Sequence, residues 1–202
     1  MTDYPGEHPE PPADLATRDP LISHLTIGIT LYRLHARHRQ PLFFGRTMTN
    51  RFDSPDGKYG VLYAGLDVHC CFIESFGQAT GIRLITETEL GLRHLAQLDV
   101  TRPLTFIDLS TSGGLARIGA DARLFSGSHA LAQRWSAKLR GHPSRPDGIV
   151  YPARHDPARN ACAIFDCLPS VFKVVGKGSL IEAYHSMILG EILDCYGFGL
   201  IP

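Results

Sequence analysis

The 202-residue chain has no surplus of either charge: 20 lysines and arginines stand against 20 aspartates and glutamates. A protein whose main task is to grip a bare nucleic-acid backbone needs a basic excess to displace counterions, and a polybasic membrane anchor needs one too. The composition excludes both. No uninterrupted apolar run reaches the length that spans a bilayer. Paired-cysteine spacing is missing as well. Cys70, Cys71, Cys162, Cys167 and Cys195 are odd in number and include no CxxC, so they are expected to be reduced cytosolic thiols, mostly packed as small hydrophobes. The phosphate-binding signatures are also absent: nothing has the spacing and lysine of a P-loop, and no GxGxxG follows a strand.

What is present is ordinary globular material, 44% apolar and 20% charged, at a length that fits one domain with a real core. Residues 1–20 are the exception. Pro5, Pro9, Pro11, Pro12 and Pro20 among acids predict a flexible lead-in rather than a secretory signal, ahead of a single domain over residues 21–202. The expected location is the cytoplasm.

The stretch from Asn50 to Phe76 organises the chain. Ser54-Pro55-Asp56-Gly57 has type I turn chemistry, with proline fixing φ at the second position. Tyr59, Val61 and Tyr63 then alternate with Gly60, Leu62 and Ala64, the period of a strand. Asp67 is placed to cap a helix whose first turns are nearly all apolar, Val68, Cys70, Cys71, Phe72, Ile73 and Phe76. Glu74 sits inside that run. A carboxylate there is either at the edge of a pocket or held by a cation, because burying it alone is costly. Arg51 and Arg33 are the cations to consider.

Elsewhere, Ile27, Ile29 and Leu31 suggest a strand entering the core within residues 21–34. Arg33, His35, Arg37, His38 and Arg39 form the most basic patch, read as a solvated loop that either meets an anionic ligand or is plain charged surface. Short strands are expected at 81–85, 104–109, 149–151, 161–165 and 171–175, while residues 88–98 fit helix or strand. The Ser110–Gly114 loop reads first as turn punctuation. Ser128 opens the clearest helix, with Leu131, Trp135 and Leu139 one face apart and Gly141 closing it. A last helix is expected from Gly178 or Ser179 through Ile192, followed by an apolar tail that docks. Short strands interrupted by helices, without regular βαβ alternation, predict an α+β domain with mainly antiparallel sheets and flanking helices.

Tyr32-Arg33, Asn50-Arg51-Phe52, Gly60-Val61-Leu62-Tyr63, Glu74, Asp108-Leu109 and Gly148-Ile149-Val150-Tyr151, followed by Arg154-His155-Asp156, resemble the RES domain over roughly residues 27–175. The resemblance implies a fold similar to ADP-ribosyltransferase toxins. It also implies the role of a toxin in a bacterial toxin–antitoxin pair, with an Xre-type helix-turn-helix antitoxin as partner. NAD⁺ is then the substrate and no separate cofactor or metal is implied; hydrolysis, phosphorolysis and transfer to a protein all remain open. No direct nucleic-acid or membrane partner is implied, and a homo-oligomer is compatible. Carried over by residue, Glu74, Arg51 and Tyr63 are the catalytic set, and Arg33, Arg51, Tyr63 and Arg154 bind substrate. The serine that gives the family its last letter falls at Ala153. That departure keeps a second reading alive, a module that binds nucleotide or antitoxin with weakened or no catalysis.

Overall fold

The computed structural model describes residues 10–79, 81–166 and 169–202; Cys167 lies outside them. The chain enters through β1 (Ile22–Leu25) and β2 (Thr30–Ala36), then reaches β3 (Val61–Gly65) and α1 (Val68–Phe76). β4 (Leu84–Thr86), α2 (Glu87–Gly91), β5 (Arg93–Val100) and β6 (Leu104–Asp108) follow. Next come α3 (Gly114–Ile118), α4 (Arg123–Ser126) and α5 (His129–Arg140), then β7 (Gly148–Ala153), β8 (Asp156–Phe165) and β9 (Phe172–Gly176). α6 (Ser186–Tyr196) and β10 (Gly199–Ile201) close the chain.

Eight strands form one sheet in the order β1-β6-β7-β8-β3-β2-β5-β9, antiparallel throughout except for β6 against β7. The remaining pair, β10 beside β4, is parallel and docks the apolar tail. The domain is therefore α+β with a mostly antiparallel sheet and flanking helices. Two cores explain why it holds together. In one, Leu31, Leu62, Ala96, Leu98, Leu104, Phe106, Val150 and Ile164 meet, all of them strand residues from both halves of the sheet. Val171 from a 3₁₀ turn and the loop residues Leu42, Phe44 and Leu66 complete it. The other core joins the opposite face to the helices through Cys70, Phe72, Ile73, Leu131, Trp135 and Ile192. Each fully buried large side chain of this kind stabilises the fold by about 1.5–3 kcal/mol.

Several expectations change. The strand foreseen across residues 21–34 is broken at Thr26–Gly28, where Gly28 takes φ 89° and Ile27 is 65% exposed. Residues 88–98 divide between both readings, since a capping box from Thr86 and Glu89 starts α2 and Leu92 ends it before β5. The basic patch is not a loop through its first half: β2 runs to Ala36 and places Arg33 and His35 in the sheet. Ser128 precedes α5 without a side-chain capping bond. The last helix begins at Ser186, because a short 3₁₀ turn at Ala183–His185 intervenes. Of the lead-in, residues 10–20 are pinned rather than loose: Leu15 is buried in the helical core, Glu10 pairs with Arg134, and the Arg18 carbonyl meets His142 at 3.2 Å. Among the described residues no helix is long and apolar enough to cross a membrane.

Candidate active site

The site begins with the cap of α1. Asp67 Oδ1 accepts the backbone N–H of Cys70 at 2.7 Å, and Oδ2 takes the Arg159 guanidinium at 2.9 Å. A side chain on the preceding Gly65 would lie 2.9 Å from both the Asp67 carbonyl and Cys71 Sγ, so only glycine lets β3 turn this closely into the helix. The cap fixes the rotation of α1. Cys70, Glu74 and Gln78, four residues apart, then share the face that lines a cavity of about 400 Å³. Arg33, Arg51, Tyr63, Tyr151 and Arg154 form the other principal walls. All five residues singled out from the sequence are therefore brought together.

Glu74 is half-buried and aimed by one bond: its Oε1 accepts the backbone N–H of Arg154 at 2.8 Å. Its Oε2 makes no hydrogen bond among the described residues. Arg51 is held from behind, where Nη1 donates to the carbonyls of Gly127 at 2.9 Å and Leu124 at 3.3 Å. Burial, then the neighbouring Arg154 charge, lowers the pKa of Arg51, and Glu74 works against that shift. The loop carrying Arg51 is bound by one face of α5. Gln133 Nε2 donates to the carbonyls of Met48 at 2.8 Å and Asn50 at 2.9 Å, and Ser136 Oγ donates to Phe52 O at 2.7 Å. His129 Nδ1 lies 2.8 Å from Thr49 O, and since a carbonyl only accepts, that nitrogen carries the proton.

Tyr63 lines the cavity with its hydroxyl already committed. That hydroxyl donates to Asp53 Oδ1 at 3.0 Å and accepts the Phe52 N–H at 2.9 Å. Asp53 is fully buried and also accepts the backbone N–H groups of Thr49 and Asn50, at 3.0 and 2.9 Å. Burial, then the Asp53 charge, pushes the Tyr63 pKa well above its ordinary value, so the phenol stays neutral. Tyr151, another wall of the cavity, is buried and likewise raised, by burial first and by Glu74 second.

Arg33 sits where the sheet parts. β2 and β3 pair only at Tyr32 and Gly65, and beyond that point Arg33 Nη1 takes the Tyr63 carbonyl at 2.8 Å. Its Nε is buried with no partner among the described residues. Burial brings its pKa down to about 10, aided by Arg39 and Arg93 and opposed by Cys71, which still leaves a full cation at neutral pH.

A second cavity, of about 600 Å³, adjoins the first and shares Phe125, Pro152 and Arg154 with it. The Ser110–Gly113 loop, first read as punctuation, lines it together with Ser126 and the buried Ala153. Asp108 builds that loop, its Oδ1 accepting from Ser110 N at 2.8 Å and Thr111 N at 3.0 Å. Sequence reasoning missed Asp53, Gln133 and Arg93 as parts of the site. Nothing local marks them: Asp53 reads as one more polar residue beside the Ser54–Gly57 turn.

A mostly antiparallel sheet with flanking helices thus gathers arginines, tyrosines and one helix carboxylate around a single cavity. The RES domain model matches residues 30–184, most of the chain and all of these residues, and the protein belongs to the RES domain family. It is 32% identical over 107 residues to the probable toxin y4kH of Sinorhizobium fredii (strain NBRC 101917 / NGR234), an alignment covering 52% of this chain and 81% of that protein. Its fold is similar to that of a chain in the crystal structure of the M. tuberculosis MbcT-MbcA toxin-antitoxin complex. There the TM-score is 0.58 and the identity 19%, over 85% of this chain and 92% of that one.

Proposed function

We propose that this protein is the toxin of a toxin–antitoxin pair and that it consumes NAD⁺ by cleaving the nicotinamide–ribose bond. One observation carries the reading: Glu74, Arg51, Tyr63, Arg33 and Arg154 line a single cavity. The similarity to a probable toxin and to a fold seen in a toxin–antitoxin complex supports the biological role.

The chemistry suits the residues. As the bond from ribose C1′ to the nicotinamide nitrogen breaks, the electron pair leaves with the ring, which departs neutral, and the positive charge moves onto the ribose. A carboxylate held next to that cation in a partly dry cleft stabilises it, as in glycoside hydrolysis. Glu74 supplies the charge, and the Arg154 N–H fixes where it points. An acceptor oxygen then bonds to C1′ and releases its proton to solvent. Arg33 and Arg51 offer planar forks that match the phosphate groups of a dinucleotide, which lysine does not. The Tyr63 ring packs against the nicotinamide riboside and excludes water, its hydroxyl taking no part in proton transfer.

The partner is an Xre-type helix-turn-helix antitoxin that blocks the arginine-lined cleft. The competing reading, binding without catalysis, rests on Ala153, where a hydroxyl is absent. Incubating the purified protein with NAD⁺, with and without inorganic phosphate, and resolving the products by chromatography decides between them. Release of nicotinamide is expected. Intact NAD⁺ under both conditions contradicts the enzymatic reading.

A further inference from the structure

We propose that the cavity is built for a dinucleotide bearing a third phosphate, NADP⁺ in preference to NAD⁺, with Arg93 as the residue that distinguishes them. This rests on reading the cavity as a nicotinamide-dinucleotide site. Four guanidiniums, those of Arg33, Arg51, Arg93 and Arg154, line the cavity against one carboxylate, Glu74. The walls thus carry a formal surplus of three positive charges. NAD⁺, with two phosphate charges and one pyridinium, brings a single net negative charge. A 2′-phosphate adds close to two more at neutral pH, as phosphate monoesters do, and the balance closes.

The arginines also fall into two groups. Arg51 and Arg154 belong to the Glu74 end, since the Arg154 N–H holds Glu74 and the two cations oppose one another. Arg33 and Arg93 belong to neighbouring strands, where β2 and β5 pair Arg33 with Ala96 and Ala36 with Arg93, and they too oppose one another. One such group is enough to grip a pyrophosphate, and the other is then free for a separate phosphate. Arg93 is half-buried, and among the described residues its side chain has neither an ion pair nor a hydrogen bond. About half of the chain's other arginines are matched by acids, as Arg46 is by Asp166, Arg102 by Asp147 and Arg159 by Asp67. A guanidinium kept beside another, partly out of water and without a structural acid, is stabilised only when an anion arrives.

The test is calorimetric binding to the Glu74→Gln protein, in which turnover is expected to be slow, using NAD⁺, NADP⁺, ADP-ribose and 2′-phospho-ADP-ribose. The phosphorylated member of each pair is expected to bind at least about tenfold tighter. Adding Arg93→Ala should weaken the phosphorylated member about tenfold more than the other, and Arg93→Gln should repeat this with a side chain that still fills the strand position. Far-ultraviolet circular dichroism checks that each variant is folded. Equal affinities within each pair overturn the inference and leave the dinucleotide reading standing. Failure of all four ligands to bind overturns both. A phosphate preference that survives both Arg93 replacements contradicts the role given to Arg93.

Discussion

Arg33 Nη1 lies 2.8 Å from the carbonyl oxygen of Tyr63, at the point where the β2–β3 ladder stops after Tyr32 and Gly65. A side chain thus takes a bond that a backbone amide would have made, and the strands part to open the cavity. One guanidinium both satisfies the sheet and lines the cavity.

Arg33→Lys should therefore fail in both tasks although it keeps the charge. Lysine lacks the fork that reaches a carbonyl and an anion together, so NAD⁺ affinity is expected to fall about tenfold or more. Stability should drop by about 1–2 kcal/mol through the weakened bond to Tyr63. Calorimetry and urea denaturation check the two parts separately.

Tyr63→Phe tests the opposite division of labour. The ring stays, while Asp53 loses a donor and the Phe52 N–H loses an acceptor. The expected loss is about 1–3 kcal/mol of stability, larger than the loss in turnover per folded molecule. The pH dependence has a defined sign. Burial raises the folded pKa of Tyr63 well above its ordinary value near 10, and raises Tyr59 to about 12. The folded state keeps these protons where the unfolded chain releases them. Stability is thus whole below about pH 10 and falls as pH rises beyond it, and the fall should be shallower in Tyr63→Phe.

Ala153→Ser restores a hydroxyl beside Ser110, Thr111 and Ser126 in the second cavity. Nicotinamide release is expected to rise or stay unchanged. An inert parent protein made active by the serine would favour the binding-only reading of this chain.

An antitoxin segment that inserts a carboxylate among the cavity arginines must compete with NAD⁺. Saturating dinucleotide should weaken the toxin–antitoxin complex in a titration by the factor that competitive linkage requires. A complex indifferent to NAD⁺ places the antitoxin elsewhere on the surface.

What could be read from the sequence was local chemistry. Asp67 as cap, the apolar run behind it and the lone Glu74 within that run fix α1 and the face that lines the cavity, because capping and period are written in neighbouring residues. The Leu131, Trp135 and Leu139 stripe was legible for the same reason. What escaped depends on distant partners. Arg33 looks like part of a charged loop until Tyr63, thirty residues on, is placed beside it. Gln133 and Ser136 look like the polar side of a helix, yet both are buried against the backbone of the Arg51 loop. Leu15 reads as a stray apolar residue in a proline-rich lead-in until the helical core receives it. The late start of α6 reflects the turn at Ala183–His185, where Tyr184 and His185 both reach the Lys177 carbonyl, at 2.6 and 2.7 Å.

The central claim is that Glu74 is the group that stabilises charge as the nicotinamide–ribose bond breaks. Glu74→Gln keeps the length of the side chain and an oxygen to accept the Arg154 N–H, so the fold and its melting temperature should be preserved. The direct measurement is the rate of nicotinamide release from NAD⁺ by the folded variant, set against the parent protein. A fall of about a hundredfold or more is expected; undiminished release would show that the Glu74 charge takes no part in breaking the bond.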